Sequence, residues 1–326
     1  MLLEVVWSNL ASPPVLCFEL GAFAVAVRSD LALPEPMFAG LSIYLMLSIG
    51  LRGGGELASG HLAGLAGPVL AALALSCAIP LWCMPLLRRF GGLPPVDAAA
   101  MAAHYGSVSA LTFAAVTTML DRQAMPFEAY APALLAVMEV PAIVIAVALA
   151  QRGLGGAGHI SGAPRPMTVL RGVASSKSVI LLAGGILIGL LAGPAGLVRV
   201  KPLFGDLFQG ALCLFLLELG RVAALGAREF RAVGARLAAF AIALPIVHGA
   251  LGVVAAHLAG MSEGGAVVLG TLAASASYIA APAAIRLALP EANAALTLTC
   301  SVAITFPFNI IVGLPLYQAM ARGVYG

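Results

Sequence analysis

The chain reads Gly106-Ser107-Val108-Ser109 at one place and Ala274-Ser275-Ala276-Ser277 at another, 168 residues later. Each stretch lies inside a long apolar run. Each is followed by small residues, by a polar break and by an apolar run with an internal proline, Pro141 or Pro307. The same pattern at corresponding places in two halves predicts an internal structural repeat, and this repeat decides the fold.

The composition predicts a protein whose solvent is largely lipid. Of 326 residues, 61% are hydrophobic and 10% are charged, with a mean hydropathy of +1.04, whereas a soluble domain is about 25% charged. The net charge of +3 is small and the basic residues are scattered along the chain, so no nucleic-acid partner is expected. The five cysteines show no metal-type spacing, and neither an HExxH nor a GxSxG motif is present. We therefore expect no enzyme, no cofactor and no transition-metal site.

The apolar runs predict an all-α polytopic membrane protein of about ten spans. Residues 1–150 would form the first five-helix repeat, residues 151–171 a cytoplasmic linker and residues 172–326 the second repeat. The predicted spans are 14–27, 36–50, 63–87, 97–120, 129–150, 172–197, 203–227, 233–260, 263–289 and 293–321.

The basic residues predict the orientation. When the 17 Lys and Arg are sorted among alternate loops, twelve fall on one side and five on the other. The side that is rich in basic residues is cytoplasmic, which places both termini outside the bacterial inner membrane. Because each half has an odd number of spans, the second half enters from the opposite side, and such inverted repeats are typical of transporters.

The two serine stretches are the candidate substrate site. In inverted-repeat transporters one helix of each half breaks near the midplane, and the exposed amino ends of the half-helices favour an anion. The alternative is that serines and small residues only pack helices together. The first lip of the site would contain Gly106, Ser107, Ser109 and Thr112, and the second would contain Ser275 and Ser277.

Glu139 is the candidate ion ligand. Its carboxylate lies in an otherwise apolar run beside Pro141, where a charge is costly unless it faces protein, water or a cation. It could bind Na⁺ or carry a coupling proton, with Thr305 and Asn309 in the corresponding region of the other half. The alternative is a structural hydrogen bond.

Nearly the whole chain resembles the sodium-dependent bicarbonate transporter family. The resemblance implies a core domain, a gate domain and ten helices, with Na⁺ symport of bicarbonate held between opposed helix amino ends. Compared with cyanobacterial members, Tyr278 stands in place of an aspartate, Ala280 in place of a serine and Glu139 in place of an aspartate. Tyr278 would close the pocket or donate to a different anion. The stretches that carry the resemblance are Arg28-Ser29-Asp30-Leu31 through Pro34-Glu35, Gly50-Leu51-Arg52-Gly53-Gly54, Gly106-Ser107-Val108-Ser109 with Thr112, Ala273-Ala274-Ser275-Ala276-Ser277, and Pro282 through Arg286.

These observations predict a sodium-dependent bicarbonate symporter that works by alternating access. The alternative is a Na⁺- or H⁺-coupled transporter of another small anion or of a monocarboxylate. The resemblance also implies a homo-oligomer, a trimer in particular. A PII-like regulator accompanies some family members, but the linker of this chain is short, so the resemblance does not imply that the regulator docks here.

Overall fold

The computed structural model describes residue 7 and residues 10–59, 64–153, 166–227 and 230–326. These residues form helices, turns and irregular segments, and none of them lies in a β-strand. Eight helical segments among them are long and apolar enough to cross a membrane. The prediction of an all-α membrane protein is therefore confirmed at the level of fold class.

The described helices of the first half are α1 (Pro13–Ala26), α2 (Glu35–Ala58), α3 (Ala66–Arg89), α4 (Pro95–Gly106), α5 (Ala110–Arg122), α6 (Ala131–Met138) and α7 (Pro141–Gly153). The second half contains α8 (Pro166–Ala174), α9 (Lys177–Leu197), α10 (Phe208–Ala227), α11 (Phe230–Leu258), α12 (Glu263–Ala274), α13 (Ala280–Ala288) and a final span α14 (Ala294–Tyr325). The final span contains wide π turns at Thr299–Thr305 and Asn309–Gly313.

Each predicted span overlaps helical structure, but two of the ten are shorter than a full crossing. Helix α1 has 14 residues, and α12 has 12 before the chain breaks ahead of α13. The count of ten spans and the inverted relation of the halves stay predictions. Most of the predicted linker, residues 154–165, lies outside the described residues, whereas Pro166–Ala174 forms α8.

Glycines let two helix pairs pack with their backbones in contact. A Cβ built at Gly54 of α2 would lie 2.0 Å from the carbonyl oxygen of Ile186 in α9. A Cβ at Gly220 of α10 would lie 1.9 Å from the carbonyl oxygen of Phe18 in α1. The pairing is reciprocal, because the second predicted span of each half packs on the first predicted span of the other. We call α1, α2, α9 and α10 the glycine-packed group.

The remaining helices surround a buried pair, α4 and α5, which together form one interrupted span. Helix α4 stops at Gly106, Ser107 and Ser109 are extended, and α5 starts at Ala110. The chain breaks in the same way after α12, where Ser275 is extended (φ −78°, ψ 164°). We call α3–α7 and α11–α14 the central group, and the two breaks lie inside it.

Candidate functional site

The two helix breaks are joined by a pair of backbone hydrogen bonds. The Ser109 N–H donates to Ser275 Oγ at 2.9 Å, and the Ser277 N–H donates to the His104 carbonyl oxygen at 2.8 Å. All four residues are buried. Since an unpaired buried amide is costly, these bonds fix the position of one break against the other.

The serine side chains cap the half-helices that begin at the breaks. Ser109 Oγ accepts the Thr112 N–H at 3.2 Å, which is the N-cap arrangement of α5. Ser277 Oγ accepts the Ala281 N–H at 3.2 Å in the first turn of α13. The other amides in the first turn of each half-helix have no helical acceptor, so their partial positive charges favour an anion.

A third break lies beside the first two, between α6 and α7. The carbonyl oxygen of Glu139 accepts the Ser107 hydroxyl at 2.9 Å, and that of Met138 accepts the Ser76 hydroxyl at 3.0 Å. The sequence singled out Ser107 but not Ser76. Its signal was available, because Ser76 is a polar residue in the middle of the apolar helix α3.

The three breaks enclose a cavity of about 10 Å³ that contains the predicted ion ligand. Glu139 is 5% exposed, and no basic side chain in the described ranges forms an ion pair with its carboxylate. A buried carboxylate without a cationic partner is costly in its charged form. The cavity is lined by Met46, Val108, Ser109, Ala110, Glu139, Ser277, Tyr278 and Ile279.

Tyr278 places a phenol hydroxyl in the same region. Its oxygen is buried and has no hydrogen-bond partner of normal geometry among the described residues, with the Ser109 side chain as its polar neighbour. Its ring meets Phe306 edge-on, with ring centroids 5.7 Å apart. The packed ring therefore holds the hydroxyl beside the cavity and next to Ser109, where it makes no hydrogen bond of normal geometry with the described residues.

Thr305 and Asn309 are not brought to this cavity. Thr305 Oγ1 donates to the Ala241 carbonyl oxygen at 2.6 Å. The Asn309 amide donates to the Ala274 carbonyl oxygen at 2.9 Å, and its oxygen accepts the Tyr317 hydroxyl at 2.7 Å. Their polar groups are used within the protein in this conformation, and their role in ion binding stays a prediction.

His104 lies near the breaks, although the sequence did not predict it as a site residue. It is fully buried, its carbonyl oxygen accepts the Ser277 amide, and its Nδ1 lies 3.3 Å from Ser301 Oγ. A lone histidine without a metal-spaced partner predicts a satisfied core residue, but the buried Nε2 of His104 has no hydrogen-bond partner among the described residues. Its position two residues before Gly106 was the signal that it lies at a break.

The sequence model of the Na⁺-dependent bicarbonate transporter superfamily matches residues 13–322. The chain belongs to this superfamily. The resemblance inferred from the serine and glycine stretches is thereby confirmed, and membership points to bicarbonate and Na⁺ as the transported species. No curated protein is significantly similar to this superfamily member.

The size of the cavity between the breaks can be compared with the size of bicarbonate. A space of about 10 Å³ is close to the minimum that holds one water molecule. It is too small for bicarbonate, which has four heavy atoms. An anion of that size would fit between the breaks only if they moved apart.

Proposed function

We propose that the protein is a sodium-dependent bicarbonate symporter that works by alternating access. The observation that carries the proposal is the opposition of two helix starts, at Ser109 and Ile279, around a cavity that Glu139 also lines. The helix starts favour an anion, the Glu139 carboxylate favours a cation, and both line the same cavity. Superfamily membership supports this pair of substrates.

Bicarbonate would bind at the opposed helix starts. The amides of Ala110 and Ile279 belong to the residues that line the cavity, and amides at a helix start favour an anion. The hydroxyls of Ser109 and Ser277 cap the same helices and could turn toward a bound oxygen. The Tyr278 hydroxyl would supply a further donor.

Na⁺ would bind at the Glu139 carboxylate. The charge of a buried carboxylate is best compensated by a bound cation when no basic side chain lies beside it. Hydroxyl and carbonyl oxygens around the three breaks are the hard ligands that such a cation prefers. Binding of Na⁺ would add a positive charge next to the anion, which explains why transport of one would need the other.

Alternating access would come from movement of the central group against the glycine-packed group. The backbone contacts within the glycine-packed group favour a rigid frame. Contacts between the two groups are fewer and include exposed polar pairs such as Arg52 with Asp121. The site lies within the central group and would move with it.

A second candidate is an H⁺-coupled transporter of another small anion or a monocarboxylate. Glu139 favours it, because a buried carboxylate without a cationic partner can also be compensated by a proton. Tyr278 favours it as well, since a phenol stands beside the helix break where the related transporters carry a carboxylate.

Uptake of radiolabelled bicarbonate into proteoliposomes separates the two candidates. We expect an inward Na⁺ gradient to drive accumulation, a choline gradient to drive none, and Glu139→Gln to remove the Na⁺ dependence. Glu35→Gln, at an exposed carboxylate of α2, is the matched control and should behave like the native protein. Accumulation driven by a proton gradient alone would support the second candidate and contradict the first.

A further inference from the structure

Three cavities follow one another along the seam between α2 and α5. The first is the candidate site, which touches Met46 of α2 and Ala110 of α5. The second, of about 30 Å³, touches Ile49 and Phe113. The third, of about 480 Å³, reaches Asp121 near the end of α5. On α5 the cavities touch Ala110, then Phe113 and Thr117, then Asp121, which are three or four residues apart, so the cavities follow one another along the helix from the site to the protein surface.

The middle cavity is a neck with an aromatic lining. Phe113 of α5, Phe127 and Phe208 of α10 surround it, and its volume of about 30 Å³ closes the line of cavities there. Among the described residues that line the neck, Arg52 and Glu56 are the charged ones. Both also line the wide outer cavity, so they stand at the junction of the two.

The wide cavity carries charges of both signs. Its lining contains Arg52 and Lys201 together with Glu56, Asp121 and Asp206. A mouth of this kind suits the entry of an anion and a cation together, whereas a mouth of one sign would repel one of them.

One exposed ion pair crosses the seam at its outer end, and a hydrogen bond beside it joins α5 to α10. Arg52 Nη2 lies 3.9 Å from Asp121 Oδ2, and both side chains are 49% exposed. Gln209 Nε2 donates to Thr118 Oγ1 at 3.1 Å. An exposed ion pair adds little stability, so separating α2 from α5 costs little at this end.

We propose that the α2–α5 seam is the route between the candidate site and the membrane surface, closed at its neck by Phe113 and Phe208. Arg52 and Glu56 attract the anion and the cation to the neck. The distribution of basic residues among the loops predicts that this end of α2 faces the outside of the cell, so the route leads to the outer membrane surface. The inference rests on the proposed function for the identity of the ions, but not for the existence of the route.

Cysteine labelling tests the route without any transported substrate. Thr117 of α5 is half-buried and lines the neck, whereas Thr118 is buried and faces Gln209 instead. Each is changed to cysteine in a protein whose five native cysteines are replaced by alanine. A charged thiol reagent is then added to vesicles of each orientation.

We expect Thr117→Cys to react an order of magnitude faster than Thr118→Cys, from one side of the membrane. A second variant, Ile49→Cys, places the thiol on the α2 side of the neck and should react from the same side. Equal reactivity at positions 117 and 118 would overturn the proposal. So would the absence of reaction at positions 49 and 117 in variants whose cooperative thermal unfolding shows that they are folded. If the cysteines react but added bicarbonate does not slow their labelling, the route is supported and the assignment of bicarbonate to it is contradicted.

The role of Arg52 is tested by the kinetics of uptake. Arg52→Gln and Asp121→Asn both remove the ion pair, but only the first removes the cation at the neck. We expect the KM for bicarbonate to rise with Arg52→Gln, to stay near the native value with Asp121→Asn and to recover with Arg52→Lys, with the maximal rate retained in each. Equal effects of the first two variants would show that the ion pair alone matters and would overturn this role.

Discussion

The Ser275 hydroxyl is the side chain that ties the two helix breaks together. It accepts the Ser109 amide and donates to the Leu272 carbonyl oxygen at 2.8 Å, so both its hydrogen-bonding functions are used inside the protein. It therefore positions the start of α5 instead of offering a free group to the substrate. Ser277 differs, because within the described ranges its hydroxyl accepts the amide of Ala281 and donates to no acceptor, which leaves its own proton for another group.

Replacing Ser275 by alanine should destabilise the protein and slow transport. The Ser109 amide would be left buried without an acceptor, which costs about 1–3 kcal/mol. Thermal unfolding in detergent measures the loss. Ser175→Ala is the control, because that hydroxyl donates to the Arg171 carbonyl oxygen at an exposed position. Equal melting temperatures for the two variants would contradict the positioning role of Ser275.

Tyr278→Phe should separate binding from stability. The variant keeps the edge-on contact with Phe306 and removes a hydroxyl that makes no hydrogen bond of normal geometry with the described residues, so we expect unfolding to change by less than about 0.5 kcal/mol. The KM for bicarbonate should rise, because a donor beside the site is lost. Tyr317→Phe, which removes the bond to Asn309, should instead lower stability. An unchanged KM in Tyr278→Phe would refute the role of the hydroxyl.

At the scale of the elements, helix α2 depends on glycine at the positions that face α9. Any side chain at Gly54 meets the backbone of Ile186, and one at Gly50 meets the carbonyl oxygen of Leu182 at 2.6 Å. The two helices would have to move apart to admit even a methyl group. This contact also places Arg52 and Glu56, which lie between and beyond these glycines, toward the seam with α5.

Gly54→Ala should destabilise the protein by about 1–3 kcal/mol, the usual cost of overpacking. Gly40→Ala on the same helix is the control, since a Cβ there meets nothing within 4 Å. Its melting temperature should equal or exceed that of the native protein, because alanine favours a helix over glycine. A similar loss in both variants would contradict the packing of α2 on α9.

The limits of prediction at this scale have a physical cause. The apolar run predicted to end at residue 50 continues as helix to Ala58, through Arg52, three glycines and Glu56. Glycine and charge normally end a helix, and here the close approach of α9 holds the segment helical. The break after α12 was easier to anticipate, because Ser275 and Ser277 offer the backbone hydrogen bonds outside a helix.

The site itself was predictable only where sequence position implies spatial proximity. The paired serine stretches indicated both breaks, and the structure brings Ser109 and Ser277 to one cavity with Glu139. The expectation that Thr305 and Asn309 join Glu139 rested on symmetry alone. Their actual partners, Ala241 and Ala274, lie on helices whose packing no local pattern encodes.

At the scale of the whole molecule, the proposed alternating access requires the central group to move against the glycine-packed group. Cysteines at Thr118 and Gln209, joined by a short reducible bifunctional thiol reagent, should therefore block uptake until a reductant is added. The control restores the native Cys17 and Cys213, which contact each other between α1 and α10 within one group. Joining those two should leave uptake unchanged, and uptake that continues after joining positions 118 and 209 would contradict the movement.

The central claim is that the two helix breaks form the binding site, and a structure determined with bicarbonate and Na⁺ present tests it most directly. We predict density for the anion between the starts of α5 and α13, in contact with Ser109 and Ser277, and density for the cation beside Glu139. The cavity of about 10 Å³ should be wider in that structure. Well-defined density for bicarbonate elsewhere, with the breaks unchanged and empty, would contradict the account.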